Sequence, residues 1–528
     1  MRKLFLFSLM VLASMNLAAQ HIYSNAEISS TADVIGTSRY VSMGGAMGAL
    51  GADISAISSN PAAIGLFRRS DISLTAGLLW PKDKKFKEDN LTHGTFDQMG
   101  FVAAWNLDES KLKFINFAFN YQKKFNFANG FYADNNFLGG LSQVDQLANI
   151  ANIYPNEYNL LGTAYNAYVL DKDELGYYNS YSADVNRYSH YSTGSTQAFD
   201  LNVSFNVNDR YYIGATFGID NVKYDRYSMY TEERNNLNPD AYLGQIMDYE
   251  LYNDQSIDGY GINFKVGTII RPFEDDPFRI GLAIETPTGY RLKTKTLHQI
   301  NSKFDSEGNY IDNGYYPHYG NDDSYLEYIV RTPWRARLSL GSTIDKYFAW
   351  DIEYEYANYA KNRMKYPDDF DYYESSNFAG ITDKAMNQLN REMLRGQHTA
   401  KLGVEIKPAD AWAIRFGYNY ISSIFKKNAF LDQTRPSDAF DYITSTNFMN
   451  LSYANVLACG LGYRYKRFYV DMTYKFRQQN GKFYAFDDSF SSDAQFVKDN
   501  PTLANMKLDP VEVNLNRHTI TWTMGFKF

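Results

Sequence analysis

The sequence predicts an all-β fold, a 14-stranded antiparallel transmembrane β-barrel with an N-terminal hatch (plug) and long extracellular loops. Three observations predict it. Strict apolar–polar alternation recurs in about fourteen segments of about ten residues each. The connections between these segments alternate short and long along the whole chain. The chain opens on an export signal, and nothing after that signal is apolar for about 18 residues running, which excludes a membrane-spanning helix.

Residues 1–19 carry the signal: Arg2 and Lys3, the apolar run Leu4 to Leu17, and the small pair Ala18-Ala19 before the expected cleavage site. No cysteine stands there, which argues against a lipid anchor. The single cysteine of the 528 residues, Cys459, excludes an intramolecular disulfide framework and any multi-cysteine metal site. A net charge of −8 lacks the basic footprint that nucleic acid requires. Aromatic residues make up 16% of the chain, more than a soluble core uses.

The alternating segments fall near 70–80, 98–107, 112–121, 197–207, 211–220, 260–271, 278–286, 333–344, 347–357, 397–407, 411–420, 453–465, 468–477 and 518–528. About ten residues suffice to cross a bilayer at a tilt of about 45°. In the last segment Ile520, Trp522, Met524, Phe526 and Phe528 share one face, and Thr519, Thr521 and Thr523 take the other. Short connections lie at Asp108-Glu109, Asn208-Asp209, Pro272 to Pro277, Asp345-Lys346, Pro408 to Asp410 and Lys466-Arg467. Long ones span 81–97, 122–196, 221–259, 287–332, 358–396, 421–452 and 478–517. This alternation puts every short turn and both termini at one end, the periplasmic end of an outer-membrane barrel. A secreted sandwich has no reason to keep that plan. Trp80, Trp105, Trp334, Trp350, Trp412 and Trp522 all fall in these segments, as a membrane interface favours. Opposite faces carry Arg279, Glu285, Arg335, Arg337, Lys401, Glu405 and Arg415, the content of a polar lumen. Phe526 and Phe528 on a terminal aromatic strand resemble the signal read by the outer-membrane barrel assembly machinery.

The segment before the first strand, residues 20–69, does not alternate. It is rich in small residues, among them Gly44, Gly45, Gly48 and Gly51, and then turns at Asn60-Pro61-Ala62, where proline fixes its own φ and biases Asn60 away from helix. Two readings suit it: a flexible periplasmic leader, or a hatch folded back into the lumen. The run from Gly36 to Trp80, with its Gly/Ala-rich segment, Asn-Pro-Ala motif and first strand, resembles the N-terminal hatch of the FadL-type (OmpP1/FadL/TodX) outer-membrane transporters of hydrophobic compounds. That resemblance implies fourteen strands, a monomer, and a hatch in which Asn60, Pro61 and Ala62 form the rigid bend at the wall while Gly44, Gly45 and Gly48 let it shift. It also implies cargo leaving sideways through a break in the wall, expected at Tyr121 to Gly130.

Among the long loops, Phe125, Phe127, Phe131, Leu138 and Leu141 are the candidate ligand contacts, and Leu141, Val144, Leu147 and Ile150 have helical spacing. A second helix is expected within Ser375 to Gly396. No catalytic motif is present: neither G-x-S-x-G nor H-E-x-x-H occurs, and the seven histidines are scattered. Acidic clusters at Glu274 to Asp276 and Asn321 to Asp323 lack calcium-loop spacing. The expectation is a non-enzymatic channel with no cofactor or metal, whose partners are hydrophobic small molecules and outer-membrane lipid. Its expected cargo is long-chain fatty acids. A haem receptor and a structural or secretion-accessory barrel are the alternatives.

Overall fold

The computed structural model describes residues 33–82, 92–107, 111–136, 141–153, 159–167, 183–233, 246–304, 326–367, 381–430, 445–486 and 508–528, with isolated positions between 138 and 178. The export signal, the first residues of the hatch and the Asp108-Glu109 turn lie outside the described residues.

Fourteen strands close into a ring. In chain order they are β1 (Asp71–Lys82), β2 (His93–Asn106), β3 (Leu112–Asn126), β5 (Val185–Val207), β6 (Tyr211–Glu233), β7 (Ile246–Ile270), β8 (Arg279–Glu285), β11 (Arg335–Ile344), β12 (Phe348–Asn358), β15 (Gly396–Ala409), β16 (Trp412–Ile421), β17 (Phe448–Tyr465), β18 (Phe468–Tyr484) and β20 (Asn516–Lys527). Each pairs antiparallel with the next, and β20 closes on β1 from Asp71↔Lys527 to Lys82↔Asn516. Closure is obligatory, because each unpaired backbone group facing hydrocarbon costs several kcal/mol. Around the ring the outward residues are apolar: Leu74, Phe101, Phe117, Leu201, Phe217, Phe264, Leu282, Ile352, Phe416, Leu457 and Met524 are all exposed. Their neighbours at odd spacing point inward and are polar, among them Asn116, Thr216, Asp351, Glu405, Arg415 and Thr521, all buried. This polar-in, apolar-out pattern is the pleat of a lipid-facing barrel.

At one end the strands join by tight turns. Asn208, Asp209, Asp345 and Lys466 take positive φ there (54°, 57°, 49° and 55°), the backbone geometry that matches hairpin twist. The Phe528 amide donates to the Ser70 carbonyl, so the chain leaves the barrel beside the point where it entered β1.

At the other end the wall continues far beyond the membrane. β5 and β6 each have 23 residues and β7 has 25. About ten residues cross the hydrocarbon, so roughly a dozen residues of each, about 40 Å of strand, stand above it. The sequence reading placed 185–196, 221–233 and 246–259 in loops, and the structure corrects this. It also adds strands outside the ring: β4 (Asn129–Asn135) on β5, β9 (Gly289–Phe304) on β7, β10 (Leu326–Arg331) on β9, β13 (Arg363–Tyr366) on β10, β14 (Ile381–Thr382) on β13, and β19 (Val511–Asn514) on β18. These extensions escaped notice because charged residues such as Lys293 and Lys295 occupy the outward positions of β9, as on a water-facing sheet. Trp334 lies one residue before β11 and not within a strand.

Helices are few. The hatch has a single turn, α1 (Ser38–Ser42), and two 3-10 turns, Ile54–Ser58 and Pro61–Leu66. Above the membrane stand α2 (Gln143–Ile153), α3 (Asn159–Asn166) and α4 (Lys384–Met393). α2 buries Val144, Leu147 and Ile150, the helical spacing read from the sequence, and α4 lies within the expected Ser375 to Gly396 stretch.

Candidate functional site

The hatch fills the lower lumen and is bound to the wall by its motif. Asn60 is buried, and its side chain makes three hydrogen bonds. Nδ2 donates to the Gly48 carbonyl (2.9 Å) and to the Thr268 carbonyl of β7 (3.1 Å), and Oδ1 accepts from the Ala62 amide (3.0 Å). Pro61 cannot donate, and it stands first in its 3-10 turn, where no donor is needed. Its carbonyl accepts from Ser204 Oγ (2.8 Å) and Asn202 Nδ2 (3.2 Å) of β5. Ala62 is fully buried, and the fit is close enough to dictate the wall: a Cβ on Gly267 would lie 2.0 Å from Asn60 Oδ1.

Gly44, Gly45 and Gly48 are also buried. Gly44 takes φ +63° against the Tyr418 backbone of β16, and a Cβ on Gly48 would overlap Ser339 and Glu353. Gly44 and Gly48 are thus points where the hatch closely approaches the wall, whereas Gly45 packs on Val34 and Tyr40 of the hatch itself. Polar contacts complete the attachment. Asp351 Oδ2 accepts from the amides of Ala49 and Leu50, both at 2.9 Å. Arg39 reaches Glu405 at 3.1 Å and the Ala52 carbonyl at 2.9 Å.

Above and around the hatch, the inward charges read from the sequence, Arg279 apart, form ion pairs with adjacent strands or across one intervening strand. Arg415 bridges Glu405 (2.6 Å) and Asp471 (2.5 Å), and Arg337 bridges Glu285 and Glu355, both at 2.7 Å. Lys401 meets Glu353 at 2.6 Å, and Lys265 meets Asp200 at 3.1 Å. A buried pair is costly to break, about 3–5 kcal/mol when one partner is removed, so this ladder narrows the lumen and holds it rigid. A cavity of about 90 Å³ remains, lined by Asp33, Gln122, Phe125, Arg335, Arg337 and Lys401 among others.

The five candidate ligand contacts are brought together. Phe125, Phe127, Phe131, Leu138 and Leu141 lie in one apolar core that spans α2, α3, α4 and the extended strands, a cap over the barrel mouth. The Phe125 and Phe127 rings are 5.2 Å apart, and Phe131 packs on Phe483 at 5.4 Å. All five are buried there, and of them only Phe125 also lines the cavity. Two titratable groups of the cap, both above the membrane, have shifted pKa values. Burial, with Arg226 nearby, pushes His190 down to about 3. Burial also pushes Glu232 up to about 7, against the hydrogen bonds it accepts from Tyr249 and Tyr230.

Below the cap the wall itself parts. The β2–β3 ladder ends at Gln98↔Gln122, yet β2 continues along β1 to His93 and β3 continues along β5 to Asn126. A register shift between Lys123 and Phe125 bends β3 away, and β4 begins at Asn129. Lys123 Nζ, donating to Thr95 Oγ1 at 2.8 Å, crosses the seam. The hatch segment behind it is held by Gln122, whose Nε2 donates to the Ile35 carbonyl.

No family model matches the chain, and no curated protein sequence matches it. Among solved structures, a Pseudomonas aeruginosa FadL homologue aligns over 94% of this chain and 98% of its own, with a TM-score of 0.50 and 12% identity. The chain has the FadL-type fold. Two further structures align over 94% of this chain and 99% of theirs, each with a TM-score of 0.48: the Ralstonia pickettii toluene transporter TbuX at 11% identity and the CymD monoaromatic hydrocarbon channel at 9%. A closed barrel of this FadL-type fold with an apolar outer belt is an outer-membrane protein that crosses the bilayer many times. Among the described residues no group of three or more potential metal ligands comes together.

Asp33 and Glu232 were missed by sequence reasoning. Each is a single carboxylate with no local pattern, and its role depends on partners far along the chain. Phe526 and Phe528 face outward at the periplasmic rim, stacked at 6.0 Å, with Phe528 also against Phe101.

Proposed function

We propose that the chain is a passive channel for the uptake of hydrophobic compounds through the outer membrane, with long-chain fatty acids as cargo. The observation that carries this reading is continuity: Phe125 belongs both to the apolar cap above the membrane and to the cavity behind the β2–β3 seam. A hydrocarbon captured in the cap has a poor path straight down. The hatch blocks it, and stripping water from the ion-pair ladder returns no contact that would offset the cost. Sideways, the parted strands lead to lipid.

In this reading Asn60, Pro61 and Ala62 anchor the hatch. Gly44, Gly45 and Gly48 are where it detaches, and the five apolar cap residues touch cargo as the cap opens. The cavity of about 90 Å³ is well below the roughly 300 Å³ of a small ligand pocket, so passage requires cap or hatch to move. The test is uptake of a labelled long-chain fatty acid by cells lacking their own outer-membrane transporter, with surface expression checked. Intact protein should restore uptake, and the double change Asn60→Ala/Pro61→Ala should reduce it. No uptake by correctly inserted intact protein would remove fatty acids as cargo.

A further inference from the structure

Arg337, Lys401, Lys265 and Arg415 of this lumen are answered by carboxylates of the wall itself, Arg415 by Glu405 and Asp471. One group differs. Lys475 and Arg477 on β18 and Arg517 on β20 converge on Asp33, a carboxylate that the hatch supplies. Asp33 Oδ1 lies 3.0 Å from Lys475 Nζ and 3.9 Å from Arg477 Nη1, and Oδ2 lies 3.0 Å from Arg517 Nη2. All four side chains are at least nine-tenths buried. Lys475 also donates to the Val34 carbonyl at 2.8 Å, so the contact fixes the first described turn of the hatch and not merely one side chain.

The surroundings suit more than a carboxylate. The guanidinium groups of Arg517 and Arg477 lie 4.9 and 5.8 Å from the centre of the Phe125 ring. Phe125 continues through Phe127 into the cap, and the cavity of about 90 Å³ opens beside both Asp33 and Phe125. The cations stand at the outer rim of the apolar belt: on β18 the outward residues are Met472 and Tyr474 just below them and Gln478 just above. A cationic cradle with an aromatic wall at that depth matches a molecule with one anionic end and one apolar end.

We propose that Lys475, Arg477 and Arg517 form a binding site for the carboxylate of an anionic amphiphile whose chain lies along Phe125, and that Asp33 of the hatch occupies this site as a built-in competitor. The inference rests on the functional reading above and deepens it: it assigns the groups that hold the carboxylate of such cargo and the hatch residue that competes with it. A ligand that must displace Asp33 binds with its affinity reduced by the fraction of time the site is occupied from within.

The test uses the full-length protein in lipid nanodiscs and compares binding of labelled palmitate with the matching fatty alcohol. Asp33→Asn should tighten palmitate binding about tenfold and leave the alcohol unchanged, while Asp33→Glu, which keeps the competitor, should behave as the parent. Lys475→Gln/Arg517→Gln should abolish the preference for acid over alcohol. Retention of the folded form on unheated gels checks each barrel. Equal palmitate binding by Asp33→Asn and parent, or a preference that survives Lys475→Gln/Arg517→Gln, overturns the proposal and leaves the hydrophobic channel standing. Binding of neither ligand by the parent overturns both.

Discussion

Glu232 offers a quantitative test of the cap. Its Oε2 accepts from Tyr249 OH (2.7 Å), Tyr230 OH (3.1 Å) and the Gln143 amide at the start of α2 (3.3 Å), while Oε1 is buried without a partner among the described residues. No described cation pairs with it, and Asp145 of α2 adds a like charge. The carboxyl therefore keeps its proton to about pH 7, against an ordinary value of 4.5. A pKa raised in the folded state means that the folded cap holds a proton the opened cap releases. Stability is therefore full below about pH 4.5 and declines as pH rises through about 7. At about 1.4 kcal/mol per pH unit the loss is about 3 kcal/mol, an order-of-magnitude figure for so buried a group. Hydrogen exchange of the α2 amides reads local opening directly. Protection should fall between about pH 5 and 7.5 beyond the intrinsic exchange trend, and Glu232→Gln, which cannot ionise, should flatten the profile. An unchanged profile in Glu232→Gln would refute the assignment, because the titrating group would then lie elsewhere.

Two further perturbations address the hatch and the lumen. Gly267→Ala sets a methyl where Asn60 Oδ1 now stands, 2.0 Å away. The hatch should detach locally, seen as larger single-channel conductance in planar bilayers with the barrel still folded, and conductance equal to the parent would refute the docking. Arg415→Met strands Asp471 in a buried site, with a cost of about 3–5 kcal/mol, while Glu405 keeps Arg39 and Lys407. The midpoint of heat-induced barrel unfolding should drop clearly, and Arg415→Met/Asp471→Leu should recover part of it.

Much of the barrel was legible because one physical rule repeats. A strand between lipid and a polar lumen must alternate, and Ile520, Trp522, Met524 and Phe526 against Thr519, Thr521 and Thr523 already state which side is which. Turn positions were legible too, since Asn208-Asp209 and Lys466 supply the positive φ that tight hairpins need. The hatch was legible as a compact non-alternating segment with a forced turn at Pro61. Its partners were not. Asn60 contacts Thr268, and Asp33 contacts Lys475 across 442 positions, and no local pattern in one sequence encodes such pairings. The ligand-facing face of Phe125 was similarly hidden, because an aromatic in a long loop reads the same whether it lines a groove or fills a core.

β6 explains why the upper wall reads as loop in the sequence. From Tyr211 to Asp220 its outward residues include Ile213, Phe217 and Ile219, all exposed, and its inward ones include Thr216 and Asp220, both buried. From Asn221 onward the sense inverts without a slip in register: Asn221 and Lys223 now face out, and Val222, Tyr224 and Tyr230 face in. Below the inversion the strand is solvated by lipid outside and by a polar lumen inside. Above it, water lies outside and an apolar cap inside. A pattern search tuned to lipid-facing strands stops at the inversion, although the ladder with β5 runs unbroken from Val207↔Tyr211 to Val185↔Glu233. The inversion therefore marks the outer boundary of the membrane from side-chain chemistry alone. On β3 the same level is reached near Phe125, where the outer ladder to β2 has just ended. The place where the β2–β3 ladder ends is thus also where the lumen changes from ionic to apolar, and a molecule with a polar end and an apolar chain would find both surfaces within reach at that depth.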